Sequence, residues 1–276
     1  MRKTLRLFAP TCLAALSLFS PAAARAQDGA QPNAGAPKAA AKVDEKAAAV
    51  VARAVEAMGG AAYLGVRTVV SQGYFTQFRE GRGGLPASFR DYMVYPDRER
   101  TEFKGAGVRS VQVNTGETGW LFEAEKKKLT DVTAEQAADF RTAMRTSIDN
   151  ILRGWWRSDG ASLAYVGRRE AGLARRNEVV RLTYPDGFEV EFEFDAREAL
   201  PAKTLYKRQN AEGETVEEED RYAQFVGVGA VRTPLVVDHY RAGQQSSRVN
   251  YDKVEFNQPV PDALFAKPAD VKAVKF

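Results

Sequence analysis

Residues 184–194 read Tyr-Pro-Asp-Gly-Phe-Glu-Val-Glu-Phe-Glu-Phe. The first four residues predict a tight turn, because proline fixes φ and Asp-Gly suits the positions that follow it. After the turn, apolar and acidic side chains alternate, and the apolar set is Phe188, Val190, Phe192 and Phe194. This period of two predicts a half-buried strand of an antiparallel sheet.

Runs of the same kind lie on both sides of this segment. They cover residues 69–79, 88–95, 98–103, 108–113, 203–208, 216–226, 231–240 and 246–256. Gly, Pro and Asp separate them, so about 11–12 strands are expected in all. The connections are short, which favours a meander over crossovers. The sequence therefore predicts a mainly β (α+β) fold with a curved antiparallel sheet.

Two helices are predicted beside the strands. Asp44 can cap the first helix, which ends at Gly59-Gly60. Thr133 and Gln136 form a capping box for the second, whose apolar residues recur at helical spacing as far as Trp155. A sheet of this size must curl, close or be covered. The covered space is either a cavity for an apolar ligand or an ordinary core filled by side chains.

The N-terminal segment predicts export. A basic head precedes the short apolar run 7–19, and Ala24-Arg25-Ala26 supplies a small-x-small cleavage pattern. Residues 1–26 are therefore predicted to be a signal peptide cleaved near Ala26, with an uncleaved anchor as the alternative. Residues 27–42 are predicted to be a flexible linker, and residues 43–276 a single domain.

Removing that segment changes the charge balance. The whole chain has 40 basic and 36 acidic residues. Four basic residues and no acidic ones lie in 1–26, so 36 of each remain (40 − 4 = 36). The exported chain is neutral overall, which gives no reason to expect nucleic acid as a partner. The single cysteine, Cys12, is removed with the signal, so no disulfide is expected.

The chain offers little material for catalysis. Its one histidine, His239, is interpreted as a satisfied or surface residue, on the face opposite Asp238. The acidic run 217–220 lacks the spacing of a calcium loop and is interpreted as a solvated strand or turn edge. The glutamates 189, 191 and 193 could form a carboxylate pair for glycoside chemistry, but a solvent-facing strand shows the same pattern. No catalytic residue, metal or cofactor is therefore predicted.

Several motifs occur in the order seen in one known family. They are Pro96-Asp97-Arg98-Glu99-Arg100, then Gly116 to Phe122 with Gly119-Trp120, then the helix 133–155, then Phe256 to Phe265 with Val-Pro-Asp before Leu-Phe. Together they resemble the LolA-like superfamily of periplasmic lipoprotein-sorting and lipid-binding carriers, over about residues 45–270. Glu123-Ala124-Glu125 departs from the family's usual Asp-Pro, which leaves the cargo open.

This resemblance implies a half-open β-barrel whose concave face is covered by helices and holds acyl chains. The family's lid-closing arginine would correspond to Arg98 or Arg100. The expected lipid-binding residues are apolar side chains of the sheet and of the lid helix: Trp120, Phe122, Phe188, Val190, Phe192 and Phe194, and then Phe140, Met144 and Ile148.

The function expected from this fold is that of an exported, periplasmic, monomeric carrier. It would shuttle acyl chains of lipoproteins or lipids between an inner-membrane donor and an outer-membrane acceptor. Each exposed methylene costs about 0.8 kcal/mol, so an acyl chain needs shelter in water. Two alternatives stay open: a sensor or scaffold domain that binds a protein partner, and an enzyme of unknown type.

Overall fold

The computed structural model describes residues 42–210 and 213–276. The predicted signal peptide 1–26, with its cleavage near Ala26, and residues 27–41 of the predicted linker lie outside the described residues. Within the described ranges, no helix combines the length and the apolar character needed to cross a membrane.

Fourteen strands are described, all antiparallel to their neighbours. They are β1 (Thr68–Arg79), β2 (Arg82–Gly83), β3 (Ala87–Val94), β4 (Arg98–Gly105), β5 (Val108–Thr115), β6 (Thr118–Glu123), β7 (Lys128–Asp131), β8 (Ser162–Glu170), β9 (Arg176–Thr183), β10 (Glu189–Asp195), β11 (Pro201–Gln209), β12 (Thr215–Val228), β13 (Val231–Arg241) and β14 (Gln244–Phe256). The predicted mainly β fold is confirmed. The sequence underestimates the count because β2 and β7 span only two and four residues, too short to show alternation.

The strand order is that of a curved sheet with two ends. It runs β7-β6-β5-β4-β3-β1-β14-β13-β12-β11-β10-β9-β8, and β2 pairs with β1. Strands adjacent in sequence are mostly adjacent in space, as expected for a meander, and the pairing of β1 with β14 joins the first and last strands. The sheet is not closed, which agrees with the predicted half-open barrel.

The N-terminal helix α1 (Glu45–Met58) begins and ends where the sequence indicates. The Asp44 carboxylate accepts a hydrogen bond from the Ala47 amide at 2.9 Å. Gly59 ends the helix with φ of +122°, and a Cβ there would lie 2.3 Å from the Ala230 carbonyl oxygen. Glycine is therefore required both for the turn and for the close approach of the β12–β13 turn. A short helix, α2 (Ala61–Leu64), follows.

The prediction of one continuous helix over 133–155 is wrong in one respect: the structure has two helices that meet at Ser147. The capping box of Thr133 and Gln136 is present and opens α3 (Ala134–Thr146). Ser147 is extended, with φ −68° and ψ 148°, and its hydroxyl accepts from the Asn150 amide at 3.1 Å to cap α4 (Ile148–Arg153). A serine hydroxyl competes with the helical backbone in this way, and apolar periodicity alone does not reveal it.

The buried apolar residues form three clusters. The main core packs α1 and α4 against β8–β11. A second cluster, which includes Phe75, Phe89 and Phe103, lies on the central strands β1, β3, β4, β13 and β14. The third contains Trp120 and Phe122, and the C-terminal residues 260–276 pack against it.

Candidate functional site

A cavity of about 260 Å³ lies between the sheet and the helices α3 and α4. Ser71, Asp91 and Met93 are sheet residues that face it, and Ala143 and Ile148 face it from the helices. The helices α3 and α4, called the lid below, thus cover part of the concave face. The main core and the second cluster fill other parts of this face. A cavity and a core filled by side chains are therefore both present, each on a different part of the sheet.

The cavity follows β13 and changes in character along it. At one end Val231 lines it together with Met58 of α1 and Phe256 of β14, with one charged residue, Arg232, beside them. At the other end the wall contains His239 and Arg241. The polar end also receives charged side chains from α3, β11 and β12: Asp139, Arg208, Glu218 and Asp220.

The apolar residues of β10 lie on the concave face but not at the cavity. Val190, Phe192 and Phe194 are each 1% exposed and belong to the main core under α1 and α4. Phe188 is partly buried and packs against that core, with its ring 6.1 Å from the ring of Tyr206. Their contact with a ligand stays a prediction.

The predicted lid residues separate into two groups. Ile148 lines the cavity, and it is the one residue of the nine predicted for lipid binding that does. Phe140 is buried and Met144 is partly buried, and neither lines the cavity.

Trp120 and Phe122 lie on the outer, convex face of the sheet. Asp91 pairs with Thr101, Thr101 with Gln112, and Gln112 with Leu121, which places Leu121 on the cavity side. Its neighbours must then point to the other side. There the indole of Trp120 donates to the Phe265 carbonyl oxygen at 2.9 Å, beneath the C-terminal residues.

Arg98 and Arg100 also bind the C-terminal residues and not the lid. Arg98 pairs with Asp262 at 2.7 Å. The guanidinium of Arg100 donates to the carbonyl oxygens of Leu264 at 2.9 Å and Lys275 at 2.5 Å. These bonds fasten the end of the chain across the outer face, so the lid-closing role implied by the resemblance stays a prediction.

The observed anchor of α4 is a polar cluster around Asp149. This carboxylate accepts from the hydroxyl of Tyr63 at 2.7 Å, the hydroxyl of Tyr95 at 2.8 Å and Nε of Arg153 at 2.8 Å. The Arg153 guanidinium lies 4.5 Å and 4.3 Å from the centres of the two tyrosine rings. Burial, reinforced by Asp149, raises the pKa of Tyr63 well above 10.0, so its hydroxyl stays protonated and donating.

A second polar cluster joins α3 to the sheet. The Glu218 carboxylate accepts from Nε of Arg208 at 2.9 Å and Nε of Arg241 at 2.8 Å. Arg208 also reaches Asp139 of α3 at 3.5 Å. Burial raises the pKa of Asp139 to about 6, against the opposing effect of Arg208. This contact between lid and sheet is thus polar and sensitive to pH.

His239 is the site residue that the sequence interpretation placed incorrectly. It does face away from Asp238, as predicted, but it faces the cavity, where Nδ1 bonds to Oδ1 of Asp220. Glu218 and Asp220 likewise face the cavity, so the run 217–220 is not simply a solvated edge. The alternation of side chains along β12 and β13 was the available signal. It shows that Asp220 and His239 share a face only when the register between the two strands is known.

The glutamates of β10 are also less exposed than predicted. Glu193 is 1% exposed and accepts from Arg169 at 2.6 Å and from Asn177 at 2.8 Å. Arg169 and Arg181 each bond to Glu191 at 2.7 Å. The guanidinium groups cover these carboxylates on the convex face, which explains acidic side chains at buried strand positions.

Two buried carboxyl groups lie on the concave face near the cavity. Asp91 accepts from the hydroxyl of Thr101 at 2.7 Å. Burial raises the pKa of Asp91 to about 7, and burial together with Asp91 raises the pKa of Glu99 well above 4.5. The pKa of an aspartate in an unfolded chain is about 3.9, so between about pH 4 and pH 7 the folded state holds a proton that the unfolded state releases. The contribution of Asp91 to the free energy of unfolding is therefore full below about pH 4 and is lost as the pH rises to about 7.

Asp91→Asn should therefore stabilise the protein in a pH-dependent way. The amide keeps the acceptor for Thr101 but cannot ionise. We expect the variant to melt several degrees above the unmodified protein at about pH 8, and the difference to shrink towards about pH 4. Melting temperatures of both proteins across this range test it. A difference that does not change with pH would contradict the buried, protonated state of Asp91.

The described residues contain no group of three or more side chains arranged to hold a metal ion. The site combines an apolar channel, a charged end and a helical lid fixed by polar contacts. Such an arrangement is suited to holding an elongated amphiphilic molecule.

Comparison with known proteins places the fold. No protein-family model matches the sequence, and no curated protein matches it. A solved LolA superfamily protein from Nitrosomonas europaea aligns with 80% of this chain and 97% of its own, at 12% identity and a TM-score of 0.55. A DUF1329 family protein from Desulfovibrio piger aligns over the same shares, at 11% identity and a TM-score of 0.55. The chain thus has a LolA-like fold, as the motifs predicted.

Proposed function

We propose that the protein is an exported, periplasmic carrier that binds an acyl chain in the cavity under its lid and releases it to an acceptor. The observation that carries this proposal is the largely apolar cavity between the unclosed sheet and the helices α3 and α4. The N-terminal segment 1–26 supports export, and the LolA-like fold agrees with a carrier. The donor and acceptor would be membrane proteins on either side of the periplasm.

The free energy of transferring an acyl chain favours a carrier that shields the chain from water without binding it tightly. An acyl chain of about 14 methylenes costs on the order of 11 kcal/mol to expose to water, which prevents unaided transfer. The carrier needs to match the apolarity of a membrane and no more, since tighter binding would prevent release. An apolar channel meets this requirement, and carrying needs no catalytic group.

The proposed cargo requires the lid to move, because the cavity is small. Pockets for drug-sized ligands usually measure about 300–1,000 Å³, and this cavity measures about 260 Å³. A full acyl chain with its head group would need more room. The lid is joined to the sheet at Asp139 and around Asp149 by polar contacts, which can exchange with water when α3 and α4 shift.

Ala143→Trp tests the cavity directly. Ala143 faces the cavity from α3, and an indole there would occupy much of the space. We expect uptake of a fluorescent fatty acid to fall about tenfold or more, while overpacking lowers the free energy of unfolding by about 1–3 kcal/mol. Fluorescence titration and thermal melting measure the two effects.

The matched control is Ala138→Trp, which adds the same group to the exposed side of the same helix. It should leave uptake unchanged. Uptake that is equal in both variants and in the unmodified protein would argue against binding in this cavity. An absence of any uptake by the unmodified protein would instead favour the alternative of a domain that binds a protein partner.

A further inference from the structure

The single histidine of the chain has one ring nitrogen that the protein does not use. Nδ1 of His239 is bonded to Asp220 on the adjacent strand. Nε2 is buried and has no hydrogen-bond partner among the described residues. A buried polar atom without a partner costs free energy. Its location in the wall of a cavity therefore points to a ligand atom that would complete the bond.

The same end of the cavity is rich in other donors. Arg241 donates through Nε to Glu218, and Arg208 donates to Glu218 and to Asp139. A guanidinium has five N–H donors, so these bonds use one donor of Arg241 and two of Arg208. Donors on charged groups form the stronger hydrogen bonds with anionic oxygens.

The length of the cavity, though not its width with the lid in this position, suits one chain attached to one polar group. His239 lies eight positions after Val231 on β13 (239 − 231 = 8), and both line the cavity. At about 3.3 Å per residue this is about 26 Å of strand. A cavity of about 260 Å³ that extends along this length of strand is narrow in cross-section. The wall at Val231 contains Met58 and Phe256 together with one charged side chain, Arg232, whereas the wall at His239 contains Glu218, Asp220 and Arg241.

We propose that the polar end of the cavity binds the carboxylate of a long-chain fatty acid, with Nε2–H of His239 donating to a carboxylate oxygen and the chain directed along β13 towards Val231. This inference rests on the proposed carrier function and specifies the polar group of its cargo. A carboxylate suits this end better than an ester because the available donors belong to an imidazole and two guanidinium groups.

The proposal predicts that binding depends on pH. Burial alone would lower the pKa of His239, and the Asp220 carboxylate outweighs it, so the pKa is raised above 6.5. The imidazolium form, which can donate from both nitrogens, is therefore favoured as the pH falls. Fatty-acid binding should be stronger at about pH 6 than at about pH 8. The other charged groups near His239 are Asp139 on α3, Arg208 on β11, Glu218 and Asp220 on β12, and Asp238 and Arg241 on β13.

The imidazole signals of the delipidated full chain provide the test. Because the sequence contains one histidine, the ring gives one set of NMR signals that needs no assignment. The probes are palmitate, its methyl ester and acetate. We expect palmitate to shift the ring signals and raise the pKa of His239, the ester to bind without raising that pKa, and acetate to leave the signals unchanged.

His239→Phe supplies a second, independent measurement. Palmitate affinity should fall about tenfold, and methyl palmitate affinity should stay the same. If this variant does not fold, the NMR titration of the unmodified protein still decides the matter. Equal responses to acid and ester, or palmitate binding that leaves the ring signals unchanged, would overturn the head-group site but not the carrier. A failure of both ligands to bind would overturn the carrier proposal itself.

Discussion

Asp149→Ala is expected to lower the free energy of unfolding by about 3–5 kcal/mol. For a chain of this size, that corresponds to a fall of about 6–20 °C in melting temperature. Asp149 is the ionic partner of Arg153, whose side chain is only 6% exposed. The substitution leaves that charge buried between aromatic rings and removes the acceptor of two tyrosine hydroxyls.

Two controls separate the buried charge from the loss of hydrogen bonds. Tyr63→Phe removes one bond to Asp149 and keeps the ion pair, so it should cost about 1 kcal/mol. Arg153→Met in the Asp149→Ala background removes the unpaired charge and should recover part of the loss. Chemical denaturation of the four proteins measures these differences. If Asp149→Ala costs no more than Tyr63→Phe, the cluster does not bury its charges in solution.

The position of this cluster explains why a charged network is found beside an apolar channel. Tyr63 belongs to α2, Tyr95 follows β3, and Asp149 and Arg153 belong to α4, so the bonds connect the lid to two separate parts of the fold. The side chains of Tyr63, Tyr95 and Asp149 also form part of the cavity wall. Under the proposed function, a ligand in the cavity would therefore contact the residues that fasten α4.

Local sequence predicted the elements well because the decisive interactions are local. The Asp44 cap, the capping box at Thr133 and the alternation in 188–194 each involve residues a few positions apart. Each signal was confirmed at the expected place. The break at Ser147 is also local, but the serine competes with a strong apolar period that continues past it.

The site could not be predicted to the same degree, because strand alternation does not say which face is concave. Trp120 and Phe122 alternate as well as Phe192 does, yet they lie on the convex face, where the C-terminal residues cover them. Helices cover the concave face and the C-terminal residues cover part of the convex face, so the strands show the same apolar alternation on both. The pairing of Asp220 with His239 depends on the register of β12 with β13, which residue types alone do not specify.

Phe192→Ala is expected to destabilise the protein by about 3–5 kcal/mol and to leave acyl binding by the folded protein unchanged. The Phe192 ring is 1% exposed in the main core, and its removal would leave a void that the packed surroundings fill only in part. Phe192→Leu keeps most of the volume and should cost less.

The two measurements distinguish a core residue from a cavity residue on the same concave face. Phe192 pairs with Thr204, Thr204 with Asp220, and Asp220 with His239, so one row of the sheet leads from the main core to the cavity. If Phe192 touched the cargo, Phe192→Ala would weaken binding and change the melting temperature little. The expected result is the reverse. It follows because packing beneath α1 fills the concave face at β10, and only the part of the sheet nearer β13 remains open to a ligand.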